Sequence, residues 1–593
     1  MREIQRLIDL VTRDAAKTDI ISSLEALNQR LSYGLFWDED HPENVETFDE
    51  EARGAYPILR ANPSLSRAAS GGRPTHLLIE GDNYHALSVL AYTHANSVDL
   101  VLIDPPYNTG EDFIYNDHRV IKSDDPFKST KWLSFMKKRL LLAKALLKPS
   151  GLIFVCIDDN EQATLKLLMD SIFPGKFVTT IHVEMSGTQG MKVKAAKNGN
   201  IVKNAEYILV YSMDGRKNVF HTPLYEPRSY DDHYSLYWTG TGELRPVKDV
   251  MFEEPALSRV LDSSGLTRRT KLSKIWEQCA PARDWVIKNA EHIHRSAMAE
   301  ITIPPGTVIS STPTKVKGSE REYWLMRNGA GTIEQLLPLS WAIGPCDDYE
   351  QTNSLRKIRG DWWPGFFRDM MNIDKEGGVK FPNGKKPLRL FKQIIGSATP
   401  KNAVIVDFFA GSGTTLHAVS ALNAATPDNS TRRAIIVTNN EANICREKTR
   451  PRCLNALDES AIGEGLAFYE TAFIAKAKVS RDKVAREIGS RCLDILCVKT
   501  GTHASVDSYK LTKTWAAAWS QDKAVALVHG SPTDAELSEL KALMEATPVR
   551  WGVFAFSYDS AKPDSMIGAK LGVPSVAPVP AELTKIFRTA YGF

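Results

Sequence analysis

An apolar run from Val98 to Ile103 ends on Asp104-Pro105-Pro106-Tyr107. Two consecutive prolines cannot continue a sheet ladder, because proline lacks an N–H and its φ is fixed. A carboxylate and an aromatic ring are left on a rigid turn at the strand's end. In open α/β sheets the carboxyl ends of strands are where ligands bind. On its own the tetrapeptide reads equally as a rigid turn with an incidental cap or as part of a site. Two further signals raise it to a candidate site: a Gly-Asp turn one strand earlier (Gly81-Asp82) and a glycine turn much later in the chain.

That later segment, "AVIVDFFAGSGTTLHAV" (403–419), reads as strand, turn and helix. Gly411 and Gly413 permit a tight turn and close approach of a ligand to the helix N-terminus. A dinucleotide fingerprint wants a third glycine where Leu416 stands, and a phosphate-binding loop wants a lysine after the turn; both are missing. The turn therefore suits a nucleoside without phosphates. "RRAIIVTNNE" follows as a second strand ending on Glu441, which is placed either to take ribose hydroxyls or to cap a helix.

The surrounding pattern says how these groups are carried. Strands are expected at His76–Ile79, Val98–Ile103, Gly151–Ile157, Val178–Val183, Tyr207–Tyr211, Ala403–Phe408 and Ala434–Thr438. Helices are expected at Asn83–Ala95, Lys131–Leu147, Asp159–Ile172, Pro387–Ile395 and Thr414–Leu422. Alternation of this kind argues an α/β fold with a parallel sheet covered on both faces. Residues 1 to about 70 carry helical spacing (Leu7, Ile8, Leu10, Val11, then Ile20 to Leu31) that loosens into a linker. Residues 214–345 break the βαβ rhythm. Beyond about 475, "LDILCVKT", "AVALVHG", "DAELSELKALMEA" and "RWGVFAF" suggest a small separate α/β module. The expected division is 1–74 helical, 75–214 and 379–470 as two halves of one core, 215–378 as an insert and 471–593 as the module.

At 593 residues the chain exceeds a single core, and about three or four domains are expected. A composition of 43% hydrophobic and 24% charged residues is that of a globular protein. A net charge of +3 leaves room for a local basic cleft only. Seven scattered cysteines without CxxC spacing argue against a zinc site or a disulfide framework and fit a reducing cytoplasm. No metal is expected, and neither a secretory signal nor a membrane span is evident.

"DPPY" with "FAGSGT" resembles the signature pair of S-adenosylmethionine-dependent amino-group DNA methyltransferases, with Asp rather than Ser in first place as in adenine-N6 enzymes. DPPY preceding the glycine motif, with a large insert between, looks like the circularly permuted β class. "LIEGDNYHAL", "LVLIDPPYNTGEDFIYND", "GLIFVCIDDNEQATLKLLMD" and "NAEYILVY" resemble the modification subunit of type III restriction–modification systems. The resemblance covers about 75–215 and 380–455. It implies a Rossmann-like methyltransferase sheet, circularly permuted, with an inserted target-recognition domain. In that sheet the strands carrying the two motifs are central neighbours.

The resemblance also implies roles. Asp104 and the Pro105 carbonyl would accept the two N6 hydrogens of adenine, making the nitrogen more pyramidal and nucleophilic, and Pro106 would help hold that carbonyl still. Tyr107 would stack on a base flipped out of the duplex. Asp82 would contact the cofactor's adenine, or is simply a strand-end cap. Asp407 and Phe409 to Gly413 would form the cofactor pocket, Glu441 the ribose contact, and Lys386-Pro387 would begin a helix closing over the methionine end. Family members often have Pro where Phe408 stands, which should alter packing only. Asn108 and Thr109 shape the entrance or are turn residues.

Asp158 and Asp159 read as a helix cap rather than a catalytic pair. Lys192, Lys194, Lys197 and Lys203 either track phosphates or form a solvated charge run. Arg268, Arg269, Lys271 and Lys274 lie in the insert that should recognise target sequence. The aromatic residues of "RGDWWPGFFRDM" are expected in core. Partners implied by the resemblance are double-stranded DNA, a helicase–nuclease restriction subunit and a second copy of the chain. The competing readings are an orphan adenine methyltransferase, a cytosine-N4, RNA or protein-amide enzyme on the same fold, and a non-catalytic DNA-binding subunit.

Overall fold

The computed structural model describes residues 55–109, 128–188, 191–241, 243–299, 303, 306–317, 322–348, 353–371, 373–381, 384–428, 430–475, 481–503, 508–556, 565–581 and 583–584. Contacts divide the chain into two units. One runs up to Thr222 and resumes at Asp361; the other is Pro223–Gly360.

In the first unit the strands and the helices of eleven or more residues, in chain order, are β1 (Ala55–Ala61), β2 (Thr75–Glu80), α1 (Asn83–Thr93), β3 (Val98–Ile103), α2 (Lys128–Leu146), β4 (Leu147–Ile157), α3 (Gln162–Ile172), β5 (Phe177–Glu184) and β6 (Ala205–Ser212). After the second unit come β7 (Trp362–Trp363), α4 (Leu388–Ala398), β8 (Val404–Asp407), α5 (Thr414–Ala425), β9 (Arg433–Thr438), α6 (Arg450–Ser460), β10 (Gly465–Ala475) and α7 (Arg481–Thr500).

Ten strands form one sheet in the order β1-β10-β2-β9-β8-β3-β4-β6-β5-β7. From β10 to β4 all neighbours are parallel, while β6 runs antiparallel to both β4 and β5. The central strands are apolar almost throughout because both faces are covered: Leu77, Val101, Ile153, Val406 and Ile435 are all buried. This is the Rossmann-like sheet expected from the sequence, assembled from two separated segments. One glycine is fixed by close approach. Gly81 has φ +146, and a Cβ there would fall 1.8 Å from Thr471 Oγ1.

The structure departs from the sequence reading in three places. The N-terminal helical pattern does not extend to residue 70: Ala55–Ala61 is an edge strand, registered from Ala55↔Ala475 to Ala61↔Tyr469. Its partner is hundreds of residues away, so no local pattern announces it. The helical spacing from Leu7 to Leu31 lies outside the described residues. The insert is narrower than 215–378, because Phe220 and Trp363 pack together with ring centroids 6.2 Å apart and β7 pairs with His182 and Val183 of β5.

The C-terminal segment does form its own sheet of five strands, Tyr509–Leu511, Trp515–Trp519, Lys523–Val528, Arg550–Ala555 and Ala577–Pro578. It is not separate, however. Ile488, Cys492 and Leu496 of α7 share one continuous core with Leu59, Ile474, Ala516 and Val525. "LDILCVKT" is the last part of α7.

The second unit contains a six-stranded sheet, a three-stranded sheet and four short helices between Val247 and Lys288. Its sheets are paired antiparallel, which is why no βαβ rhythm is present there. Tyr230, Leu261, Trp276, Val286 and Leu339 form its core. Among the described residues no helix is long and apolar enough to cross a membrane.

Candidate active site

Strands β3 and β8 are neighbours, with Leu100 opposite Ile405 and Val101 opposite Val406. Asp99 Oδ2 accepts a hydrogen bond from Val404 N at 2.8 Å, and Asn83 Nδ2 donates to Phe408 O at 2.8 Å. These bonds tie the two halves together, the first at the amino ends of β3 and β8 and the second at the carboxyl end of β8. They bring the Asp104 turn and the glycine turn to the same end of the sheet.

At that end four side chains meet. Tyr107 Oη donates to Asp104 Oδ1 at 2.8 Å and lies 3.1 Å from Glu206 Oε2. Lys386 Nζ stands 3.1 Å from Asp104 Oδ1, 3.0 Å from Glu206 Oε2 and 4.6 Å from the centre of the Tyr107 ring. Both contacts to Asp104 use the same oxygen, and among the described residues Oδ2 has no hydrogen-bond partner. The turn is anchored from outside: Trp132 Nε1 donates to Pro106 O at 2.7 Å. Pro105 is buried. Asn108 adopts φ +55 and donates to Glu161 Oε1 at 2.6 Å, so it is a turn residue rather than a wall of the entrance.

The electrostatics follow from this packing. Burial pushes the Asp104 pKa up, against the opposing pull of Lys386, and Glu206 adds to the rise. Burial works against the Lys386 ammonium, but Asp104 and Glu206 outweigh it and raise its pKa. The Tyr107 phenol is held well above its ordinary range by burial and by the two carboxylates. With both acids ionised, the one cation between them leaves a formal charge of one negative.

Beside it lies the glycine turn. Asp407 accepts from Phe409 N at 3.0 Å and from Thr415 Oγ1 at 2.5 Å, which braces the turn; burial moves its pKa up to about 7 despite these bonds. Gly411 and Gly413 have φ +46 and +83. A Cβ on Gly413 would sit 3.2 Å from Cys453 Sγ and 3.2 Å from Thr449 Cγ2. Pro387 is the N-cap of α4, and Glu376 accepts from Leu388 N at 3.0 Å, closing that helix end.

Asp82 caps α1 by accepting from Tyr84 N at 2.8 Å, and pairs with the fully buried Arg139 at 3.3 Å. Glu441 opens a short turn after β9.

Asp82, Asp104, Asp407 and Glu441 therefore stand at the carboxyl ends of β2, β3, β8 and β9, four adjacent parallel strands. The glycine turn itself, 407–415, contains no lysine or arginine. Acids at four adjacent strand ends, with a glycine turn that holds no lysine or arginine, fit a positively charged, unphosphorylated nucleoside such as S-adenosylmethionine. Among the described residues no cluster could hold a metal ion.

The model of a family described as DNA methylase matches residues 98–447, more than half of the chain. The chain belongs to the DNA methylase family. It is similar to the type III restriction-modification enzyme StyLTI Mod subunit of Salmonella typhimurium, 31% identical over 417 residues, covering 65% of this chain and 55% of that protein. The EcoPI Mod subunit of Escherichia phage P1 is 27% identical over 407 residues, 62% of this chain and 58% of that one. The type II methyltransferase M.KpnI of Klebsiella pneumoniae is 30% identical over 367 residues, covering 61% and 79%. The chain spans a little over half the length of the type III relatives.

The matched span takes in the Asp104 turn, Glu206, Lys386 and the glycine turn, while Asp82 lies before it. Sequence reasoning missed Glu206, Arg139 and Arg452. Glu206 had a signal: an acid near the start of the apolar strand "AEYILVYS". Arg452 is fully buried and donates to Ser412 and Thr414 at 2.7 Å each, stiffening the glycine turn from behind.

The basic candidates make contacts within their own segments. Lys192 donates to Ser186 Oγ at 2.6 Å and to Lys203 O at 2.9 Å, and Lys194 is exposed. Lys203 is taken up by Asp158, at 2.9 Å, and by Asp159. Asp158 accepts from Asn160 N at 3.0 Å, a turn ahead of α3 rather than its N-cap, which is Glu161. In the second unit Arg268 pairs with Asp249 at 2.7 Å, and Arg269 is exposed. Trp363 and Phe366 are core as expected; Trp362 is exposed.

Proposed function

We propose that this chain transfers a methyl group from S-adenosylmethionine to the N6 amino group of an adenine flipped out of double-stranded DNA. The observation that carries the proposal is the divided use of Asp104: Oδ1 is held by Tyr107 and Lys386, while Oδ2 is left to accept a hydrogen bond. The N6 lone pair of adenine is delocalised into the ring. Asp104 Oδ2 and the Pro105 carbonyl accept the two N6 hydrogens and favour the nucleophilic form of the nitrogen. Pro106, tied to Trp132, keeps the carbonyl in place. Lys386 covers one face of the Tyr107 ring, and the base stacks on the other.

The donor supplies a methyl group on a positively charged sulfur. Asp82, Asp407, Phe409, Gly411, Gly413 and Glu441 hold it, with Lys386-Pro387 at the start of α4 closing the pocket. The net negative charge of the cluster favours the positive charge that develops on N6. Asp104, its pKa raised by burial, takes the N6 proton. Asp rather than Ser at position 104 favours adenine over cytosine.

The chain acts as a type III modification subunit that supplies both methylation and sequence choice. Its partners in this reading are double-stranded DNA, a helicase–nuclease subunit and a second copy of the chain, in the cytoplasm. The likeness to the StyLTI and EcoPI Mod subunits supports this. Lys192, Lys194, Arg268 and Arg269 contribute phosphate contacts, and the unit Pro223–Gly360 reads sequence.

The test is single-molecule sequencing of plasmid DNA from methylation-free cells expressing the chain, beside Asp104→Ala. N6-methyladenine on one strand of one asymmetric site, lost in the variant, is the expected result. Modified adenine on both strands of a palindrome would contradict the type III reading, and modified cytosine would contradict the base.

A further inference from the structure

A cavity lies at the end of the same sheet opposite the candidate active site. It has a volume of about 520 Å3, within the range of small-molecule sites. Thr75, Val404 and Arg433, which line it, stand at the amino ends of β2, β8 and β9, whereas the acids of the candidate active site stand at the carboxyl ends. The facing wall comes from the C-terminal sheet and the end of α7: Gly501, His503, Trp519 and Lys523.

The cavity gathers positive charge. A Cβ built on Gly501 would lie 3.2 Å from Arg433 Nη1 and 3.4 Å from Lys523 Nζ, so both cationic heads converge on one point. Arg73 also lines the space. Among the described residues none of these three has a carboxylate within ion-pair distance. Arg433 Nε is buried without a hydrogen-bond partner, and its Nη2 has only His94 Nε2, at 3.4 Å. Asp522 is the one acid in the lining, and it is exposed and accepts from Ser520 Oγ at 3.0 Å.

Two histidines register the same field. Burial, with Arg433 next in weight, pushes the pKa of His94 and of His503 down to about 3. Neither is a counter-charge. A half-buried guanidinium with a buried, unbonded Nε and no carboxylate, beside an ammonium, is costly to hold unless an anion completes it.

We propose that this cavity binds a phosphorylated small molecule of nucleotide size, at a site distinct from that of the methyl donor. Arg433 and Lys523 take the phosphate, a geometry suited to charge-assisted hydrogen bonds. The cavity is far larger than one phosphate. Trp519 offers a flat ring for a base, and the Asn402 and Gln521 amides line the space with it. The ligand would tie the methyltransferase sheet to the C-terminal sheet, so occupancy would stabilise the whole unit.

The test is calorimetric titration of the full chain, saturated with S-adenosylhomocysteine, using ATP and inorganic phosphate as probes. The expected result is saturable ATP binding, tighter than phosphate, that Lys523→Glu and Arg433→Gln each weaken by about tenfold or more. Donor binding should be unchanged in Lys523→Glu, which also serves as the folding control. Four outcomes would overturn the proposal. They are no ATP binding, equal affinity for phosphate and ATP, binding unaltered in both variants, or displacement of ATP by a DNA duplex, which would make the cavity a backbone contact. The reading is independent of methylation: Asp104→Ala should bind ATP as the natural chain does.

Discussion

The Lys386 ammonium lies 3.1 Å from Asp104 Oδ1, and the two residues come from opposite halves of a split fold. The contact makes assembly of the halves and charging of the site a single event. Lys386 pulls the Asp104 pKa down against burial. Removing it should raise that pKa further, so the carboxylate would form only at higher pH. Lys386→Met should lower methyl transfer by roughly 10- to 100-fold, the scale of one or two charged hydrogen bonds, and move the acidic limb of the pH–rate profile upward. An unmoved limb would mean that Lys386 acts on the donor alone.

Glu206 should behave in the opposite sense. It raises the Asp104 pKa by like-charge repulsion. Glu206→Gln should therefore shift the acidic limb downward while donor affinity stays within about twofold. Rate profiles of the two variants, measured on one DNA substrate, separate a field effect from simple damage.

Gly413 holds φ +83 with Cys453 and Thr449 close behind it. Gly413→Ala should cost about 1–2 kcal/mol of stability from the left-handed conformation alone. Urea denaturation measures that cost. Donor titration should show a parallel loss of affinity, because the turn must shift to admit the methyl group.

Asp82 combines a helix cap with the partner of a buried guanidinium. Asp82→Ala should destabilise the chain by about 1–3 kcal/mol, and Asp82→Asn, which keeps a cap acceptor, by less. Equal losses in urea denaturation would argue that the charge, not the cap, dominates.

Much of this site was legible because its chemistry is local. Asp104 to Tyr107 and Asp407 to Gly413 are contiguous, and each stands at the end of an apolar run that reads as a buried strand. Asp82 was read both as a cap and as a ligand contact, and the structure displays the cap. Glu206 and Arg452 were missed because their importance is a matter of what folds against them. Glu206 is an acid in a strand until Lys386 and Tyr107 arrive; Arg452 is one of many arginines until Ser412 and Thr414 surround it. The same reason hid β1, whose sequence becomes a strand only against β10. The insert resisted because antiparallel sheets with short, irregular strands leave a weak period.

Asp407 should leave a mark on stability. Its folded pKa of about 7 lies above that of an unfolded aspartate, so the folded state holds the extra proton. The resulting stabilisation is complete below about pH 4 and is lost as pH rises through about 7. Asp407→Asn removes this dependence. The melting temperature of the variant relative to the natural chain should therefore rise between pH 5 and pH 8, while its donor affinity falls. A constant difference across that window would show that Asp407 titrates normally.

In the proposed reaction Asp104 Oδ2 takes an amino hydrogen of adenine. The most direct measurement is nucleoside mass spectrometry of DNA incubated with the purified chain and isotope-labelled S-adenosylmethionine, beside Asp104→Ala. The account predicts labelled N6-methyladenine with the natural chain and none with the variant, although the variant still binds the donor. Labelled N4-methylcytosine, or label on adenine that persists in Asp104→Ala, would contradict it.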